Sequence, residues 1–182
     1  ASIGAINAAL FAVKYEKTND LMHAVNAVQN AWLEIGKLFE VQLLDVGMKM
    51  LGSVLLGGSL LDIRSFVNND KIVAKIGQLL PDWRISDITK VDLSINATNL
   101  NTGKTVTFTR DNDISIREAV IPSSSIPLLF PSQFIAKQYY VDGGVFNNTP
   151  LRDAIVAGAS VIFVIELKPK DKETYENTVG DY

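Results

Sequence analysis

Residues 139–167 read YYVDGGVFNNTPLRDAIVAGASVIFVIEL, and their order decides the fold. QYYV, residues 138–141, has the aromatic and β-branched content of a short strand ending at Asp142. Gly143 and Gly144 follow, and two glycines allow backbone angles closed to other residues. Pro150 suits the first turn of a helix running to about Ala157, and Gly158 is placed to end it. SVIFVIEL, residues 160–167, is the continuous apolar run of a strand covered on both faces. Strand, tight loop, helix and buried strand in succession imply a layered α/β fold.

Working outward, residues 91–100, VDLSINATNL, alternate apolar and polar side chains as a strand does. NTGK supplies turn residues and TVTFTR alternates again, so a β-hairpin is expected here. Residues 116–132, IREAVIPSSSIPLLFPS, contain three prolines and cannot form one long helix. Near the start, SIGAINAALFAV is rich in helix-tolerant residues, with capping residues at Thr18, Asn19 and Asp20. Beyond them Leu21, Val25, Val28 and Trp32 recur at helical spacing and are expected to share the inner face. His23, Asn26 and Asn30 fall on the opposite side, which turns His23 to solvent. Residues 41–80 are apolar with repeated glycines and give no clear assignment. Within them SLLDIRSFVNNDKI, residues 59–72, reads as a turn followed by a short helix. No internal repeat interrupts the 182 residues, which fit a single domain, residues 1–182, with a polar tail from about 170.

Composition narrows the function. With 17 basic against 20 acidic residues and a net charge of −3, the chain has no nucleic-acid footprint. It has no cysteine, which excludes disulfides, thiol catalysis and cysteine-ligated metal. A single histidine leaves no histidine-based zinc site. The longest apolar stretch, residues 46–61, is shorter than the ~20 residues of a spanning helix. It also carries Lys49 and four glycines. It reads as a buried core element, with a lid or membrane-docking surface as the alternative.

Two residues could carry chemistry. Ser2 stands between small residues just before a helix. It is either an ordinary N-cap or the nucleophile of an elbow. As a nucleophile, the Ile3 N–H would form half of an oxyanion hole, and Gly4 would let the helix pack closely. His23 lies on the wrong face and too early in the chain to complete a triad. Asp142, at a strand end before Gly-Gly, either closes a turn or serves as a general base in direct contact with a serine hydroxyl. Asn96-Ala-Thr and Asn147-Asn-Thr match glycosylation acceptors, but Asn147 and Asn148, so close to Asp142, are better read as shaping its loop.

Taken together, SIGAINAA (2–9), IPSSSIPLLFPS (121–132) and YVDGGVFNNTPL (140–151) resemble the patatin-like phospholipase family. SLLDI (59–63) and NATNLNTGKTVTF (96–108) are similar to its middle, and PLRDAIVAGASVIFVIEL (150–167) to its close. The resemblance implies a helix–sheet–helix patatin-like fold. It implies a Ser2–Asp142 dyad in place of a triad, with Ile3 and Gly4 at the elbow and oxyanion site and Gly143 and Gly144 supporting the loop. It implies hydrolysis of phospholipids or other acyl-ester lipids through an acyl-enzyme, contact with a membrane surface, and no metal or cofactor. A cytoplasmic or peripheral-membrane location fits this. The family elbow is Gly-x-Ser-x-Gly preceded by a Gly-rich oxyanion loop and a strand, and residues 55–59, LLGGS, lie in the wrong place to be that loop. The chain is therefore expected to be the C-terminal larger part of such a domain, N-terminally truncated, associating with the missing N-terminal segment and inactive or weakly active alone. The alternative is an inactive patatin-fold fragment that binds partners or membrane surfaces.

Overall fold

A computed structural model describes residues 1–36, 69–127 and 130–165. The apolar segment 41–61 and the polar tail from 170 lie outside the described residues. The chain divides into two compact units, Ala1–Pro150 and Leu151–Tyr182.

In the first unit, helix α1 spans Ile3–Thr18 and buries Ala5, Ile6, Ala9, Leu10, Ala12 and Val13. Asn19 closes it in the left-handed conformation, its N–H donating to the Tyr15 carbonyl, a role asparagine tolerates better than most residues. Asp20 then opens α2, helical at residues 21–36, by accepting the His23 N–H at 2.9 Å. The capping reading of residues 18–20 is thus met. The inner face of α2 differs from the expected one. Ala24, Ala31 and Ile35 are buried, whereas Leu21 and Val25 are exposed. Alanines on the inner face allow closer helix approach than the larger side chains would, and Trp32 Nε1 donates to Asn7 Oδ1 of α1 across the contact. His23 is exposed, as its helical position predicts.

Helix α3 spans Asn69–Leu79. Its last turn is capped from outside: the Arg117 guanidinium donates to the carbonyls of Leu80 and Gly77, which a helix C-terminus otherwise leaves unpaired. Arg117 belongs to α4, Ile116–Ser123. That helix starts on a capping box: Ser115 accepts the Glu118 N–H and Glu118 accepts the Ser115 N–H. Pro122 sits in its last turn, so the helix stops after eight residues.

Strands β1 (Ile95–Asn99), β2 (Lys104–Phe108), β3 (Gln133–Ile135) and β4 (Gln138–Asp142) form one antiparallel sheet in the order β2-β1-β4-β3. The expected hairpin is present, with Asn99 paired to Lys104 across the turn. Asn99 Oδ1 organises that turn by accepting the N–H groups of Asn101 and Thr102. β1 is shorter than the alternation suggests and all five of its residues are buried: it is a central strand, with β2 and β4 on its two edges and α4 packed on it. Helix α4 packs on β1 and β4, and α1 packs on α4. The core joins α1, α4, Ile95, Ala97, Phe108, Tyr140, Leu80, Ile85 and Ile88. This mixture of helices and one antiparallel sheet is the α/β class expected from the sequence.

In the second unit, α5 spans Leu151–Val156 directly after Pro150. Gly158 follows with a left-handed φ of 87°, as read from sequence. Residues 160–165 form no strand, contrary to expectation. A β-branched run becomes a strand only where a neighbour supplies hydrogen-bond partners, and among the described residues none pairs with it.

Glu16, near the end of α1, accepts the N–H groups of Lys90 and Thr89 and the Thr89 hydroxyl, each at 2.8 Å. The backbone bond from Lys90 leads the effects that hold its carboxyl below the ordinary glutamate pKa. A depressed folded-state pKa contributes stability while the group is ionised, and the contribution is lost as pH falls through that pKa. Urea midpoints followed from neutral pH into the acid range should therefore fall more steeply for the native chain than for Glu16→Gln.

Candidate active site

Ser2 precedes the first residue of α1, yet its hydroxyl does not cap the helix. It points elsewhere: Ser2 Oγ donates to Asp142 Oδ2 at 2.5 Å, across 140 positions of chain. The Ser2 backbone sits at φ 55°, ψ −142°, a conformation costing a non-glycine residue of order 1–3 kcal/mol. An ordinary N-cap has extended backbone angles and bonds its own helix. Ser2 does neither, so its side chain is aimed by a strained turn at a distant carboxylate.

Asp142 is 3% exposed and is fixed on every polar atom. Its N–H donates to the Ser125 carbonyl at 2.9 Å. Its carbonyl accepts the Thr98 hydroxyl at 2.9 Å. Its Oδ1 accepts the Gly144 N–H at 2.6 Å, which leaves Oδ2 for Ser2. Register places it: Asp142 ends β4 opposite Ala97 of β1. The three serines after Pro122 finish the support from α4. Ser123 Oγ donates to the Asn96 carbonyl at 2.6 Å, while Ser124 and Ser125 bond back to Val120 and Ile121. Thr98, Ser123 and Ser125 were not singled out from sequence. The run of serines was visible, but only the sheet register shows what they bond.

The two glycines act through space and not through unusual angles. Neither has a positive φ; they form a short 3-10 turn, Gly143–Val145, capped by Asp142. A Cβ on Gly143 would collide with the Asn96 carbonyl, 2.8 Å from its carbon, and come within 3.1 Å of Ala1 Cβ. On Gly144 it would lie 2.8 Å from Asn148 Oδ1 and 3.0 Å from Asp142 Oδ1. Asn147 closes the same loop by donating its N–H to the Gly143 carbonyl at 3.0 Å. Asn96, by contrast, is 2% exposed inside β1, where Nδ2 donates to Thr107 Oγ1, so it is no glycosylation acceptor. Gly4 has nothing within 4 Å of a built Cβ among the described residues, so the close packing expected of it is not found there.

At the start of α1 the N–H groups of Ile3 and Gly4 have no intrahelical acceptor, as in any helix. The Ala5 N–H already bonds the Ser2 carbonyl at 2.8 Å. Those two donors and the positive end of the helix dipole lie beside Ser2, where they favour negative charge. A cleft of about 430 Å³ elsewhere in the unit is lined by Leu10, His23, Asn30 and Leu79 among others, and holds neither Ser2 nor Asp142. Among the described residues no group of three or more His, Cys, Asp or Glu is placed to hold a metal ion. No helix among them is long and apolar enough to cross a membrane.

A family model described as patatin-like phospholipase matches residues 1–155. The chain belongs to the patatin-like phospholipase family. The matched span contains both Ser2 and Asp142 and the whole sheet of this patatin-like chain. Four chains of known structure also match. One is the crystal structure of VipD from Legionella pneumophila, 27% identical over 41% of this chain and 14% of VipD, with a TM-score of 0.31. A search of curated proteins gives no match.

Gly143→Ala should destabilise the fold by about 1–3 kcal/mol, the range for forced overpacking against backbone. Gly144→Ala meets only side-chain ends and should cost less. A urea titration of both variants checks the order, and equal effects would contradict the steric account.

Proposed function

We propose that this chain is a lipid acyl hydrolase in which Ser2 is the nucleophile and Asp142 its general base. The observation that carries the reading is the 2.5 Å hydrogen bond from Ser2 Oγ to Asp142 Oδ2, made from a strained backbone. Membership of the patatin-like phospholipase family supports the substrate class, an acyl-ester lipid such as a phospholipid.

The steps follow from the contact. Asp142 Oδ2 takes the Ser2 proton as Oγ bonds to the ester carbonyl carbon. The carbonyl oxygen becomes an oxyanion beside the Ile3 and Gly4 N–H groups at the start of α1. The carbon–oxygen bond to the alcohol then breaks, and the leaving alkoxide takes the proton from Asp142. Water attacks the acyl-serine, giving one proton to Asp142, which returns it to Ser2 Oγ as the fatty acid departs. Histidine has no part in this sequence. Asp142 keeps its orientation throughout because Gly144 holds the oxygen that Ser2 does not use.

A fluorophosphonate probe reads the activated hydroxyl directly. The native chain should be labelled at Ser2, and Ser2→Ala should abolish labelling. Asp142→Asn should slow hydrolysis of a soluble aryl ester by about 10²–10⁴-fold, the usual contribution of a general base. A folded chain that takes no label would overturn the hydrolase reading in favour of a binding module.

A further inference from the structure

Both hairpin turns of the sheet project from the same end, since Asn99 pairs with Lys104 on one side and Tyr140 on the other. The turns are laced together. Leu100 N–H donates to the Tyr139 carbonyl and Tyr139 N–H to Asn101 Oδ1, each at 2.8 Å. At this end Leu100 is 52% exposed, Tyr139 48% and Phe134 61%. Phe134 and Tyr139 are direct cross-strand partners with ring centroids 4.8 Å apart. The β3–β4 turn is Ala136–Lys137, with left-handed φ values of 47° and 64°. Such a turn is ordinarily filled by Asn-Gly, because other side chains are strained there. Here it holds Lys137 at the tip, with exposed Lys104 on the neighbouring turn.

The charge around the two turns is one-sided. The chain has 20 acidic residues, yet residues 93–110 and 119–141 contain none. Neither lysine takes part in the ion pairs found among the described residues. Three large side chains at one end of the sheet also fall far short of the ~800 Å² per partner that a stable protein interface buries. Aromatic rings are favoured at a lipid–water boundary, and a lysine beside an anionic leaflet strengthens binding about five-fold.

We propose that this end of the sheet docks on anionic lipid surfaces, with Phe134, Tyr139 and Leu100 entering the headgroup boundary and Lys104 and Lys137 meeting headgroup anions. Asp142 lies three positions along β4 from Tyr139, roughly 10 Å, so docking here holds the dyad near its substrate. That purpose rests on the hydrolase reading, but the binding is measured without turnover.

Flotation of the 182-residue chain with phosphatidylcholine vesicles, with and without phosphatidylserine, tests the proposal. The chain should float with the anionic vesicles and be released as salt rises. Lys137→Gly relieves the left-handed strain while removing the charge, so it keeps the turn; it should weaken binding about five-fold, and roughly thirty-fold when combined with Lys104→Gln. Phe134→Ser should reduce binding further. Equal binding to neutral vesicles, or undiminished binding by the double lysine variant, overturns the proposal. So does a solution dimer that Phe134→Ser splits while no vesicle is bound, which would assign the face to a second copy. Probe labelling of the same native chain separates the two readings. A labelled chain that does not float overturns the docking face alone; an unlabelled chain that floats overturns the hydrolase alone.

Discussion

The contact between the Ser2 hydroxyl and the Asp142 carboxylate bridges 140 positions of chain, and both partners are held before they meet. Ser2 is turned away from capping its own helix by backbone angles that a side chain resists. Asp142 has its N–H, its carbonyl and its second carboxylate oxygen committed to Ser125, Thr98 and Gly144. A buried carboxylate without such partners would cost several kcal/mol. Here each oxygen that burial strips of water finds a donor, so the group stays in place and points one oxygen at the serine.

This arrangement constrains its surroundings. The loop after Asp142 must pass close over the Asn96 carbonyl, and only glycine leaves room at position 143. Ser123 bonds that same carbonyl from the end of α4, so strand β1, helix α4 and the Asp-Gly-Gly loop share one polar junction. Pro122 ends α4 where these serines are needed. The apolar core beneath, from α1 through α4 to β1 and β4, keeps the junction from shifting.

Backbone strain in a non-glycine residue is confined, among the described residues, to Ser2, Asn19 and the Ala136–Lys137 turn. Asn19 is a helix cap and tolerates it. The other sites carry the hydroxyl proposed as nucleophile and the lysine proposed to meet lipid. Strain persists where the surrounding structure over-determines it. At Ser2 that determinant is Asp142; at Lys137 it is the pairing of β3 with β4.

The residues themselves determined a good deal. The β1–β2 hairpin, the short strand into Asp142, the caps at residues 18–20, the helix after Pro150 and the exposure of His23 are local matters, decided by turn chemistry and periodicity. The pairing of Ser2 with Asp142 was legible only through the family resemblance; composition and spacing left each residue with two roles. Tertiary structure decided what local patterns do not encode. Which face of α2 turns inward depends on how closely alanines let it approach α1. Why Gly143 is glycine depends on a carbonyl from a strand 47 positions earlier, and not on its own backbone angles. The run at 160–165 has strand character but no strand, because a strand exists only with a partner to bond, and partnership is a property of the assembled chain.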